Sequence, residues 1–545
     1  MDNTLVTYEP ADYAFSLGDT AFPFGWEGIP GSWPRRLLHI PTMTSLERRE
    51  GNFYGRWKEP QYGILTYTWG RWQRKDGPRL GILGTSWTIP AVDEEHFTTQ
   101  SFERIIKRMG EDVEFAWLDV ACIDQENDTV KMDEIRKQVS IFTTAHRVYV
   151  WLSRLPTNTL TTALDDVFRC ETHLYDDDTR ALGKSLPDVL TDLLHSLDTI
   201  FRDPWFTSLW TLQEGTLRRD ALVLSREGDT VPVALIPKLN VYLGFLLNAF
   251  FHLRTAIAGH LSRKEWNIEV EPLSNKIVNL IRNAGYDHAP FCQNPNIQYG
   301  AANRRITSFP LDRIYGITAI YGIQIGDHAN SVCTFEELEY EFAAAINKYS
   351  PRLGQMFVHT HQPDEGCTWK ITQRSRVPNE LETFNRDLLD TCTIIPGSRK
   401  SASFEGPTCS FASLLKVWLS RKLDTYEDSD YIYPARIRVD DYLPDMYPSL
   451  PRLLGGAFDN EEQGLEAYLP LADALLKTFE PVKLLVLRLG EYRKTPQDRF
   501  MVGLVLLSSG ASEAGYQRLG LCTWLDETFN GVEDPEWEHQ HGRIY

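Results

Sequence analysis

The sequence predicts an α/β protein whose N-terminal part is built on a parallel sheet, with a mostly helical region and a late β-hairpin after it. Three observations carry this. Apolar runs of strand length occur at Ile64–Trp69, Phe115–Val120 and Val148–Leu152. Amphipathic stretches of helical period fill the intervals between them. The resulting order of strand, helix, strand, helix, strand at this spacing is the pattern of a parallel sheet covered by helices on both faces.

Taken in order, residues 1–34 are rich in Pro and Gly and read as an arm over the core. Arg35–His39 reads as a first short strand, and Ile64–Trp69 as a buried one. Phe102, Ile105, Ile106 and Met109 fall at i, i+3, i+4 and i+7, which places one apolar stripe on a helix. Thr98, Thr99 and Ser101 offer caps before it and Gly110 a stop after it. Phe115–Val120 is the next strand. Met132, Ile135, Val139 and Phe142 predict one further amphipathic helix, and Val148–Leu152 a third strand.

Residues 155–200 read as an insertion with helical pieces. Asp203-Pro204 then starts a helix through Leu209, Leu212 and Leu217. The chain beyond 230 reads as mainly helical, including Phe335–Lys348, with connecting structure over 423–450. Val482–Leu489 and Phe500–Leu507 read as a hairpin. The domains expected are therefore 1–34, 35–229 and 230–545.

Composition narrows the function classes. A hydrophobic share of 42% with 24% charged residues is that of a globular chain, not a disordered one. The formal net charge of −19 opposes general affinity for nucleic acid, which needs phosphate-neutralising basic surface. The eight Cys stand singly with no CxxC pair, which argues against structural zinc and a disulfide framework. Met1-Asp-Asn-Thr has no secretory pattern, and the most apolar run, Val241–Phe251, is too short to span a bilayer. The expectation is a cytoplasmic protein with no membrane span. His359-Thr-His361 lacks a third ligand for a metal, Gly81-Ile-Leu-Gly84 lacks the rest of a dinucleotide fingerprint, and neither a GxSxG elbow nor a P-loop is present.

Three segments end apolar runs with polar residues: Tyr62-Gly-Ile-Leu-Thr-Tyr-Thr-Trp-Gly70, Phe115-Ala-Trp-Leu-Asp-Val-Ala-Cys-Ile-Asp-Gln125 and Asp203-Pro-Trp-Phe-Thr-Ser-Leu-Trp-Thr-Leu-Gln-Glu214. Sites of α/β proteins form at such strand ends. The candidate ligand-binding residues are Tyr67, Thr68, Trp69, Gly70, Asp119, Asp124, Gln125 and Trp210, and Glu214 closes the third segment.

The bland alternatives stand beside these. Glu214 can pair with Arg218 one helical turn on, Asp119 can cap a helix, and Trp69, Trp117 and Trp210 can be core. Cys122 reads as a small buried hydrophobe.

Together the three segments resemble the heterokaryon-incompatibility (HET) domain family of filamentous fungi. The resemblance extends to Arg304-Arg-Ile-Thr-Ser-Phe-Pro-Leu-Asp-Arg-Ile-Tyr315 and to Tyr516-Gln-Arg-Leu-Gly-Leu521. Two positions depart from the family pattern: Thr66 stands where Ser is usual, and Asp124 where Asn is usual.

HET domains in turn look like distant relatives of the flavodoxin-like Toll/interleukin-receptor (TIR) domains, whose enzymatic members use a helix-borne Glu to cleave NAD⁺. By motif order Glu214 takes that position. The resemblance implies an effector of incompatibility or cell death, with NAD as a substrate and no resident cofactor. It leaves two rivals open: a non-enzymatic module that signals by self-association or through a protein partner, and a HET scaffold turned to small-molecule chemistry in secondary metabolism.

Overall fold

The computed structural model describes residues 33–545 except 70–72, 176–183, 234–238, 264–269, 287, 289–293, 324, 326–332, 379–380, 399, 421–434, 452–468, 494–498, 510–514 and 526–534. The expected N-terminal arm falls almost wholly outside the described residues. The chain forms two compact units. The first runs to residue 291 and takes in 304–320; the second takes in 292–303 and the chain from 332 onward.

The first unit is organised by an eight-stranded mixed sheet. Its strands are β1 (Arg36–His39), β2 (Thr44–Arg49), β3 (Phe53–Tyr54), β4 (Trp57–Lys58), β5 (Tyr62–Thr66), β6 (Phe115–Trp117), β7 (Arg147–Trp151) and β8 (Leu222–Leu224). They lie in the order β4-β3-β2-β1-β6-β5-β7-β8. The three predicted strands are neighbours: β5 pairs in parallel with β6 on one side and β7 on the other, with Ile64 opposite Trp117 and Val148. β8 extends the parallel part beyond β7. β1 joins β6 antiparallel and opens the meander through β4. Every residue of β5 and β6 is buried, which explains why these strands are continuous apolar runs instead of alternating ones.

The helix Thr99–Met109 forms as its spacing predicts. Thr98 caps it by accepting the Ser101 N–H, and Phe102, Ile105, Ile106 and Met109 are its buried face. The next helix differs from expectation. The stretch predicted as one helix through Met132 and Phe142 is two, Asp128–Arg136 and Gln138–Thr144, joined at Lys137. The first of them buries Glu134, not Met132 or Ile135, because the Glu134 carboxylate accepts the Arg35 backbone N–H at 2.7 Å. The predicted insertion consists of two helices, Thr157–Tyr175 and Leu186–Phe201, which pack with Leu243–Arg263 and Glu271–Asn283 into a helical layer.

The second unit begins with helices, among them Phe335–Tyr349, which a full capping box between Thr334 and Glu337 starts. After two short strands, β9 (Val358–His359) and β10 (Ser375–Arg376), it becomes a seven-stranded sheet. Its members are β11 (Thr393–Ser398), β12 (Ser401–Ser410), β13 (Ala435–Val439), β14 (Leu484–Tyr492), β15 (Phe500–Ser508), β16 (Gly515–Leu525) and β17 (Glu538–Ile544).

The predicted hairpin is β14–β15, antiparallel, with Leu487 opposite Leu504. Because β17 pairs with both β12 and β16, the strands β12, β14, β15, β16 and β17 close into a ring. The segment read as connecting structure contains β13 and the turn of helix Leu443–Met446. β13 reaches β16 at Gly520, whose positive φ and missing Cβ let the Arg438 carbonyl approach.

Candidate functional site

β5 and β6 end on the same side of the sheet because they run parallel, and their C-terminal extensions carry the chemistry. After Thr66 the chain continues through buried Tyr67, Thr68 and Trp69. After Trp117 it turns into the short helix Asp119–Cys122, which places the Asp119 carboxylate in the first turn. Tyr67 Oη donates to Asp119 Oδ1, and the Val120 N–H donates to the same oxygen at 2.7 Å.

The third contribution comes from the helix Leu209–Leu217, led by the turn Pro204–Phe206. Asp203 caps that turn by accepting the Trp205 N–H. Trp205 is fully buried, and its indole N–H donates to Thr66 Oγ1. Glu214, near the C-terminal end of this helix, is also hydrogen-bonded to the Thr66 hydroxyl and lies within electrostatic reach of Asp119. The fold thus gathers Thr66, Tyr67, Asp119 and Glu214 from three separate segments.

Electrostatically the cluster is unusual. Burial, and next the neighbouring Asp119 charge, hold the Glu214 carboxyl well above the usual carboxylate range; the Thr66 bond works weakly against them. Glu214 Oε2 is buried without a hydrogen-bond partner among the described residues. Burial also raises the Asp119 carboxyl, but the Tyr67 and Val120 bonds and nearby Lys131 pull it back. Of the pair, Asp119 is therefore the one that ionises first. The rival pairing of Glu214 with Arg218 does not form: Arg218 gives its guanidinium to Asp220 at 2.7 Å and to the Phe142 and Ala145 carbonyls.

The other predicted residues are distributed differently. Trp69 is 4% exposed and packs among Tyr67, Phe97 and Phe102, a core position and not an open stacking platform. Trp210 shares a helix face with Glu214, one turn apart, and its indole N–H reaches Asp312 Oδ2 at 3.3 Å.

Asp124 caps the following turn through the Glu126 and Asn127 N–H groups, and Gln125 ties that loop to the Asp119 and Ile123 carbonyls. Gly70 lies outside the described residues. Cys122 is buried and its thiol is pushed up to about 12, which keeps it protonated and unreactive.

A pocket of about 390 Å³ lies beside Asp124, with Arg36, Glu47, Trp87, Cys122 and Val130 among its walls; Asp119 and Glu214 are not among them. The side chains His359 and His361 bond to Thr368, Ser375 and Thr360, and no metal-ligating cluster occurs among the described residues. No described helix is long and apolar enough to cross a membrane.

Sequence reasoning missed Trp205, Lys131 and Asp312. Trp205 had a signal in its place between the Asp203-Pro204 start and the helix; Lys131 had none.

Residues 62–214 match the family model described as Heterokaryon incompatibility protein (HET), a span that includes Thr66, Tyr67, Asp119 and Glu214. No curated protein and no solved structure matches the chain. The strand and helix ends that meet around Glu214 belong to that matched span, over which the chain carries a HET domain.

Proposed function

We propose that this protein acts in heterokaryon incompatibility through the Asp119–Glu214 pair, which cleaves the N-glycosidic bond of a nicotinamide dinucleotide. One observation carries the reading: two carboxylates within electrostatic reach of each other in a partly buried site, where burial and then the charge of Asp119 hold Glu214 above the usual carboxylate range and Glu214 Oε2 has no partner among the described residues. Such a pair favours a cationic ligand, because a positive charge entering the site offsets both the burial and the mutual repulsion.

The pyridinium of NAD⁺ is such a cation. As it binds, Glu214 releases its proton and the pair becomes doubly charged. The bond between C1′ and the pyridinium nitrogen then breaks, both electrons leaving with neutral nicotinamide. The oxocarbenium ion left on the ribose is stabilised by the adjacent carboxylates, as in glycoside hydrolysis. Water adds to C1′, and its proton passes to a carboxylate.

The test is nicotinamide release from NAD⁺ by the purified full chain, paired with calorimetry of NAD⁺ binding in buffers of different ionisation enthalpy. Release of nicotinamide together with proton release on binding supports the reading. Neither release nor binding across assembly states and concentrations would remove it, and would favour the non-enzymatic signalling module.

A further inference from the structure

The motif Arg304–Tyr315 lies 90 residues beyond the matched span, yet residues 304–320 fold into the first unit. They pin the start of the Glu214 helix. Ile306 N donates to the Thr207 carbonyl at 2.8 Å and Leu209 N to the Ile306 carbonyl at 3.1 Å, a two-bond bridge across the N-terminus of that helix. Arg305, 1% exposed, donates from Nη1 to the carbonyls of Trp205, Phe206 and Ser208 and rests 5.2 Å from the Tyr286 ring centroid. A guanidinium suits this place, because it supplies N–H donors to several carbonyls in the turn that leads into the helix. Asp312 Oδ2 accepts from Trp210 Nε1 at 3.3 Å and from Thr307 Oγ1 at 3.1 Å.

We infer that segment 304–316 is part of the site, with Arg305 and Asp312 as positioning residues that fix Trp210 and, one turn along the same helix, Glu214. Lys131 joins the two halves of this arrangement, since its charge reaches both Asp119 and Asp312. The kinetic consequence rests on the N-glycosidic reading; the positional one rests on the contacts alone.

The experiment labels the full chain with 5-fluorotryptophan, assigns the Trp210 resonance with Trp210→Phe, and compares Asp312→Ala with Asp312→Asn at matched thermal stability. Asn keeps an acceptor for the indole N–H; Ala does not. Asp312→Ala is expected to shift the Trp210 resonance and to lower kcat for nicotinamide release at least ~10-fold with KM changed less than ~2-fold, the pattern of a misplaced reacting group. Asp312→Asn is expected to restore both.

An unmoved Trp210 resonance in Asp312→Ala overturns the positioning role, whether or not the protein releases nicotinamide. A shifted resonance in a protein that releases none supports positioning and removes only the glycosidic reading. A loss confined to KM, or equal loss in the Asn variant, overturns the role. If Asp312→Ala does not fold, Arg305→Lys takes its place. Lys offers a single nitrogen to the three carbonyls, so the same shift and the same kcat loss are expected, and wild-type values for both overturn the assignment.

Discussion

The two units differ in the buried charge they leave unmatched. In the second, buried ions meet opposite ions: Arg518, fully buried, holds Asp440 at 2.6 and 2.8 Å, Lys370 holds Glu339 at 2.9 Å, and Arg352 holds Asp390 at 3.3 Å. The His359 backbone N–H and the Asp441 backbone are drawn into the same network around Asp440. In the first unit buried Arg218 is likewise matched by Asp220, but Asp119 and Glu214, two like charges, share one partly buried place. A matched pair specifies a fold; a mismatched pair costs stability and survives where something else uses it. Under the N-glycosidic reading, the first unit carries the chemistry.

Four measurements test that contrast. The largest effect belongs to the second unit. Asp440→Ala leaves the Arg518 guanidinium buried without its counter-ion, so denaturant unfolding should show a loss of about 3–5 kcal/mol. A loss below ~1 kcal/mol would mean the pair is not what holds this core.

Next is Glu214→Gln, which should lower nicotinamide release ~10²-fold, the scale of one electrostatic contact in a transition state, while the fold is kept. Equal release by both proteins would take Glu214 out of the reaction.

Third, Asp119→Ala strands the buried Tyr67 hydroxyl and should destabilise by roughly 1–3 kcal/mol in thermal unfolding. An unchanged Tm would leave Asp119 as a ligand group without a structural share.

The smallest effect is a difference in sign with pH. Glu214 has a folded pKa raised above its unfolded value near 4.3, so its ionisation weakens the fold as pH rises through and beyond that value. Glu214→Gln should therefore stabilise at pH 7–8, with the gain vanishing as pH falls below the unfolded value. His359 runs the other way. Burial lowers its pKa from 6.5 to about 4, so the stability that depends on its neutral form is complete above 6.5 and is lost as pH falls toward 4. Thermal scans from pH 4 to 8 on wild type, Glu214→Gln and His359→Gln separate the two trends. Parallel pH curves for all three would erase the contrast.

How much of this was legible in the sequence follows from the same physics. The parallel strands were, because strands buried on both faces are written as unbroken apolar runs, and β5, β6 and β7 are such runs. Asp119 could be named from its place at a segment end, and Glu214 from its match in motif order to the TIR glutamate. Their convergence could not, since it depends on which strands become neighbours.

Trp69 was read as either a ligand platform or core, and the packing of Phe97 and Phe102 against it makes it core. Much of the second sheet was hidden by its own breakers. β12 carries Gly406-Pro407 in mid-strand, and β11 carries Pro396-Gly397. At Gly406 a side chain would collide with Cys392, so the glycine marks a close strand crossing and not a turn.

One consequence concerns synthesis. The first unit takes residues 304–320 from beyond a stretch that belongs to the second. On the ribosome, the helix that carries Glu214 emerges well before the segment that pins it. At ~5–20 residues per second the interval is several seconds, during which Trp205, Phe206 and Ser208 present bare carbonyls where Arg305 will sit. A nascent chain cut before residue 304 would carry every residue of the family-matched span and still lack the clamp that sets its helix, so the order of translation itself delays the site until the chain has turned back.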